Sequence, residues 1–238
     1  METNNAVVNT SGPELEFFKT IKDKIKSVVD IGCRENIDYF LIQPDIVYHL
    51  FDINPTHLQS ITTKVGGNPN INLYGVGVGK VDRMDTYSTW SESIFRQWGS
   101  NHHQVQIYNF EEFLKNKNIS DIDFLKMDIE GSEPEILSFT KVIKEIKYVQ
   151  FEFGGTWDDA KQRPQPDVIY DLEEVIKLYE ETHHFYYMRD GGHPLSQHYK
   201  GLLIPLTPDF LTQLLHYNTQ GYGGNMIMIN KKENYENI

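Results

Sequence analysis

The sequence predicts an α/β fold: a doubly wound, mostly parallel, seven-stranded sheet with an antiparallel last strand and a small β insertion around residues 81–108. Three observations carry this. Short β-branched runs alternate with helical periodicity from residue 13 onward. Several of these runs end in glycine or an acid, and in open α/β sheets ligands sit beyond the carboxyl ends of strands. The last apolar run lies close in sequence to the sixth strand, which suits antiparallel pairing.

Residues 1–12 are polar and read as a flexible arm ahead of a single domain over 13–230. Pro13 opens a helix to about Lys24, because proline suits a first turn and Leu15, Phe18, Ile21 and Ile25 share a face. Ser27 to Gly32 is a first buried strand closed by a glycine turn. Val47 to Ile53 is a second, with Asp52 about 22 residues after Asp30, the usual distance to the ribose-binding acid of a nucleotide-binding βαβ unit. A helix from Asn54-Pro55 to about Lys64 is broken by Gly66 to Pro69, and Ile71 to Val78 is a third strand. Met84 to Thr89 and Gln104 to Tyr108 read as extra strands. Between them, Trp90 to His103 reads as a mobile loop over the site, with His102 and His103 solvated.

Phe110 to Asn116 is a short helix. Ile122 to Met127 is a fourth strand in which Lys126 is the one charge after Asp123, and it is tipped by Asp128, Glu130 and Gly131. A helix then runs from Glu133 to Glu145 with Ser132 as N-cap and Pro134 in its first turn. Glu133 and Glu135 read as acids that merely favour a helix N-terminus. Tyr148 to Phe153 is a fifth strand, with Glu152 near its end. Asp158 to Pro166 is a polar loop, Pro166 to about Glu181 an amphipathic helix and His184 to Met188 the sixth strand. His193 sits in a turn before Pro194 and reads as structural. Thr207 to about His216 is a helix, Asn225 to Asn230 the last strand, and 231–238 a charged, frayed tail.

Composition narrows the function classes. A net charge of −12 disfavours nucleic acid and anionic membrane as partners, since both demand a positive surface. One cysteine, Cys33, excludes an intrachain disulfide, and no signal peptide or membrane span is legible, so a cytoplasmic protein is expected. Oligomeric state is left open.

The strand ends bear acids in nucleotide-site positions: Asp30, Asp52 and Asp128. The first turn, Asp30-Ile-Gly-Cys-Arg-Glu-Asn36, holds one glycine, which is thin provision for a pyrophosphate. A nucleoside without phosphates needs only a glycine at the close approach and a carboxylate for both ribose hydroxyls, which Gly32 and Asp52 supply. S-adenosylmethionine fits: a ribose, no phosphates, and a sulfonium that welcomes acids.

The run Asp123-Phe-Leu-Lys-Met-Asp-Ile-Glu-Gly-Ser-Glu-Pro-Glu-Ile-Leu137 resembles the signature segment of FkbM-type S-adenosylmethionine-dependent methyltransferases. Val28 to Gly32, Phe51-Asp-Ile-Asn-Pro55, Tyr108 to Leu114 and Phe151-Glu-Phe153 match the family's other segments in order, so the resemblance covers roughly 27–154. It implies a class I methyltransferase (Rossmann-like) fold and, usually, O-methylation of a sugar, glycan or small hydroxylated metabolite. The cofactor set is then Asp30, Gly32, Arg34, Asp52, Ile53, Gly77 and Asp128. The sequence departs from the family's D-V-G-A-N-x-G: Cys33-Arg34-Glu35-Asn36 follows the first glycine, and Asn36 replaces the second. Arg34 would pair with the methionyl carboxylate or with Glu35.

A hydroxyl acceptor needs a general base within hydrogen-bond reach. Asp128, Glu130 and Glu152 are the acidic candidates, and His198 follows. Asp128 and Glu130 alternate along an extended chain and so share a side. The same three carboxylates could otherwise hold a divalent metal, the least favoured reading. Trp90, Trp98, Trp157, Tyr186, Tyr187 and Tyr199 could stack on a sugar or belong to the core. The competing class is a non-catalytic methyltransferase-fold interaction module, which the altered glycine motif keeps open; an NAD-dependent oxidoreductase is disfavoured by the missing glycines.

Overall fold

The computed structural model describes residues 12–88, 93–94, 101–189 and 192–233. Helix α1 (Pro13–Ile21) leads into β1 (Ser27–Ile31), α2 (Asp38–Ile42), β2 (Val47–Phe51), α3 (Pro55–Val65) and β3 (Ile71–Tyr74). The short strands β4 (Gly77–Gly79), β5 (Arg83–Ser88) and β6 (His102–Asn109) follow, then α4 (Phe110–Asn116), β7 (Phe124–Met127) and α5 (Glu133–Phe139). The chain continues through β8 (Tyr148–Phe153), α6 (Gly155–Lys161), α7 (Leu172–Tyr179), β9 (His183–Met188), β10 (Leu203–Pro205), α8 (Pro208–Asn218) and β11 (Gly224–Asn230).

Among the described residues the strands form two sheets. The larger has eight strands in the order β10-β9-β11-β8-β7-β1-β2-β3, and the smaller is β4-β6-β5. Strands β8, β7, β1, β2 and β3 pair in parallel, and β11 runs antiparallel to both β8 and β9. The expected doubly wound architecture and antiparallel last strand are therefore present. β10 adds an eighth, edge strand, because Leu203 to Pro205 is too short to show a pattern.

Alternation along the strands explains the two-sided core. Val29, Leu125, Met127, Val149 and Phe151 face one side, where α4, α5, α7 and α8 cover them with Phe113, Ile136, Val175 and Phe210. Val28, Tyr48, Phe124 and Tyr148 face the other, against Phe17 and Phe18 of α1, Tyr39 of α2 and Ile61 of α3.

Several expected elements change for local reasons. The third strand splits after Tyr74: its end, β4, leaves the main sheet and pairs with β6. Gly77 permits this, since a Cβ there would lie 2.3 Å from Ile107 Cδ1. The helix expected over 133–145 stops at Thr140, which is extended, and 141–145 continues as a 3₁₀ turn. The helix expected from Pro166 starts only at Leu172, because the Asp171 carboxylate caps the amides of Glu173 and Glu174. The polar loop expected from Asp158 is part of α6, where Trp157 and Ala160 anchor a short helix in the core. α2 was not expected either. His102 and His103 belong to β6, opposite Ser88 and Tyr87, and not to a loop. Trp90, Trp98 and most of that segment lie outside the described residues, as do 1–11 and 234–238; Lys231 and Glu233 are hydrogen-bonded to Thr182 and Asn230.

Candidate active site

A cavity opens at the carboxyl ends of β1, β2 and β7. Gly32, Arg34, Asp52, Ile53, Gly77, Asp128 and Glu130, all anticipated, line it. Strand β1 brings Gly32 into left-handed conformation, φ 82°, where a Cβ would sit 2.0 Å from the Asp128 carbonyl oxygen. Only glycine fits that crossing. The turn continues through Arg34 at φ 52°, an unfavourable state for a residue with a side chain. It is held by the Arg34 amide, which donates to Asp52 Oδ2 at 2.7 Å. Glu35 pairs with Ser60 (2.8 Å) and Lys64 (3.6 Å).

Asp52 is 6% exposed and already has protein partners. Oδ1 accepts from the Asn54 amide (2.7 Å), and Oδ2 also meets His57 Nδ1 at 3.2 Å. With three of roughly four lone-pair sites engaged, Asp52 can serve one further donor, not two ribose hydroxyls. The apolar wall comes from Ile53, Val76, Val78, Ile94 and Ile107, the last two from the insertion. The described part of the segment after β5 also touches the tip: Ser93 donates its hydroxyl to the Glu130 carbonyl at 3.0 Å.

The tip itself is not extended. Glu130 takes φ 53° and Gly131 φ 102°, so Asp128 and Glu130 do not share a side by strand alternation, although both reach the cavity. The turn is closed from below by Glu133, whose carboxylate oxygens accept from the amides of Ile129 (2.7 Å) and Gly131 (3.0 Å). Ser132 makes no side-chain cap. Burial pushes the Glu133 carboxyl up to about 8, against the pull of the amides that bond it. Glu135 accepts four bonds: two from Arg83 (2.6 and 2.9 Å), one from the Lys80 amide (2.7 Å) and one from Gln165 (3.0 Å). The reading of Glu133 and Glu135 as acids that merely favour a helix start is thus incomplete: both are buried fasteners of the site, and Glu135 ties down the insertion.

Asp30 lies behind the cavity, 4% exposed. Burial pushes it up to about 6, with Lys126 opposing. Lys126 is itself buried; burial disfavours its charge, but Asp30 and Asp128 outweigh that and hold it above the ordinary lysine range. Cys33 is buried, and burial raises its thiol well above the usual range.

The remaining candidates are not brought to the cavity wall. Glu152 is half-buried on β8, near enough to Glu133 to add to its upward shift. His198 is exposed, after a 3₁₀ turn at Pro194–Gln197. His193 accepts from the Leu195 amide at 3.1 Å, the structural part expected of it. Trp157, Tyr186 and Tyr187 are core residues. Among the described residues, no three His, Cys, Asp or Glu side chains are grouped to hold a metal, so Asp128, Glu130 and Glu152 do not form that trio.

The model of the methyltransferase FkbM domain matches residues 12–192. The chain belongs to the FkbM methyltransferase family. Methyltransferase FkbM from Methylobacillus flagellatus KT is similar at 16% identity and TM-score 0.43, over 66% of this chain and 38% of that one. This chain therefore spans well under half the length of that relative. The Streptococcus mutans protein SMU.1697c, solved in complex with SAH, aligns over 92% of this chain and 98% of its own, at 7% identity and TM-score 0.50. The O-methyltransferase from Bacillus cereus, also with SAH, gives 9% identity and TM-score 0.47 over 96% and 85%. The Streptococcus mutans likeness shows a shared fold, the class I methyltransferase architecture. No curated protein matches the chain. Among the described residues of this FkbM-family protein, no helix is long and apolar enough to cross a membrane.

Proposed function

We propose that this FkbM-family protein binds S-adenosylmethionine and methylates a hydroxyl of a sugar, glycan or small hydroxylated metabolite, in the cytoplasm. The observation that carries the reading is the composition of one cavity: Gly32, Asp52 and the half-exposed Asp128 and Glu130 line it together with an apolar slot. The wall has acids and a single glycine turn where a phosphate-bearing cofactor would need a cluster of amide donors. That suits a nucleoside with a cationic centre and a flat aromatic base whose faces an apolar slot can cover. SMU.1697c, whose fold the chain shares, was solved with SAH, which supports the same choice.

The cofactor supplies an activated methyl group. The chain's own residues then have three tasks. Gly32 lets the backbone approach closely, and Asp52 offers its remaining lone pair to one ribose hydroxyl. The slot formed by Ile53, Val76 and Ile107 excludes water from the base. Beside the glycine turn Asp128 takes the proton of the acceptor hydroxyl, with Glu130 as the second acid in reach; positioning in line supplies much of the rate. Glu152 and His198 have no place on the cavity wall, so the base is assigned to Asp128. A chain of net charge −12 suits neutral acceptors better than polyanions.

Calorimetry with S-adenosylmethionine and with NAD tests the reading: heat with the first and none with the second is expected. Binding of neither would leave the non-catalytic module. Asp52→Ala should weaken S-adenosylmethionine by about 1 kcal/mol or more, since a hydrogen bond and the anchor of the Arg34 turn are both lost. An unchanged dissociation constant would remove Asp52 from the site.

A further inference from the structure

On the face of the sheet covered by α1 and α2, a row of polar side chains crosses the core directly beneath the cavity. Asp30, Lys126 and Gln150 stand in register on β1, β7 and β8. They are 4%, 7% and 0% exposed. Lys126 Nζ lies 3.8 Å from Asp30 Oδ1 and 3.4 Å from Asp128 Oδ2. From α1 Glu14 faces this row, from α2 the Tyr39 hydroxyl, and from the end of β2 Asp52. Among the described residues, Asp30 Oδ1, the Tyr39 hydroxyl and Gln150 Oε1 have no hydrogen-bond partner.

Such a row is a poor stabiliser. Charges removed from water cost several kcal/mol each, and an apolar trio of similar volume is often as stable. A carboxylate, an ammonium and an amide buried below a binding cavity therefore call for a role in the site. We propose that Lys126 is a positioning residue of the methyl-transfer site: its buried ammonium keeps Asp30 ionised at neutral pH and pins Asp128 at the cavity wall. The inference rests on the cofactor reading above. Burial alone drives Asp30 toward its neutral form, and Asp128, Glu14 and Asp52 add to that drive; Lys126 is the charge that opposes them. An ionised Asp30 adds negative potential under the part of the site where a cationic ligand sits. Lys126 itself does not line the cavity and acts through Asp30 and Asp128.

Calorimetry of S-adenosylmethionine with the full chain, unsubstituted and as Lys126→Met and Lys126→Arg, tests this from about pH 5 to about pH 9. The unsubstituted protein should bind evenly above about pH 7 and lose affinity below about pH 6, where Asp30 gains its proton. Lys126→Met should bind about tenfold more weakly at neutral pH and recover as the pH rises, and Lys126→Arg should keep the unsubstituted profile. A Lys126→Met profile of unsubstituted shape, superimposed or uniformly lowered, would overturn the inference and leave the cofactor reading standing. If Lys126→Met does not fold, carboxyl ¹³C NMR of the aspartates in the unsubstituted protein and in Lys126→Arg decides. Asp30 titrating near pH 6 in both supports the proposal, and an uncharged Asp30 at about pH 7.5 in the unsubstituted protein overturns it. Absence of any binding by the unsubstituted protein would overturn the cofactor reading and this inference together.

Discussion

Asp128 and Glu130 stand half-exposed at the cavity wall, whereas Glu133 and Glu135, in the next turn of the same chain, are 0% and 2% exposed. The outer pair points acids into a space where a ligand fits. The inner pair points them at donors already in the protein: two amides of the tip for Glu133, and Arg83, Gln165 and the Lys80 amide for Glu135. Acid content is the same in both; what separates chemistry from scaffolding is whether the carboxylate reaches the cavity or is enclosed with its donors inside the fold. Glu135, with four bonds filling its lone pairs, has nothing left to offer a substrate.

The contrast can be broken most directly at Glu135. Glu135→Ala leaves Arg83, itself largely buried, without its bidentate partner, and should lower the free energy of unfolding by roughly 3–5 kcal/mol in a denaturant titration. A loss under about 1 kcal/mol would mean that the inner pair is no more structural than the outer. Asp30, beneath both pairs, sharpens the comparison from the other side. Its carboxyl is raised to about 6 in the fold against an ordinary 3.8, so its ionisation opposes folding. Its contribution to stability is full below about pH 4 and is lost as pH rises through about 6. Asp30→Asn should therefore be the more stable protein at about pH 8, by up to roughly 3 kcal/mol, with the advantage gone at about pH 4. Thermal unfolding at the two values reads this directly, and an equal effect at both would contradict it. The smallest change is expected at the cavity wall: Glu130→Gln should alter stability by about 0.5 kcal/mol or less in the same titration. A larger loss would place Glu130 among the fasteners.

Much of this site was legible in the sequence, for a physical reason. Residues that meet a ligand at strand ends sit at fixed places relative to apolar runs, so Gly32, Asp52 and Asp128 could be picked out from pattern, Ile53 and Gly77 came with the family resemblance, and all five line one cavity. The inner acids could not be read that way. The partners of Glu135 lie 52, 55 and 30 residues away, and nothing near it in sequence announces that Arg83 will arrive. Lys126 read as a lone charge in an apolar run because its meaning depends on register with Asp30 across two strands. Ile107 joined the cavity only because β4 leaves the main sheet to pair with β6. Periodicity overextended the helix expected from Pro166, since it counts apolar positions and does not register that Asp171 competes as a cap. His198, a candidate base ranked after the acids, is left by the fold at the surface, off the cavity wall.

The crossing of Gly32 over the Asp128 carbonyl has a mechanical consequence. With no room for a single carbon between them, and with the Asp128 amide bonded to the Ile31 carbonyl at 2.9 Å, the glycine turn and the acidic tip are one rigid part. On the proposed reading, a displacement that the cofactor imposed on the turn would be delivered to Asp128, so that loading the donor and aiming the base would be a single motion.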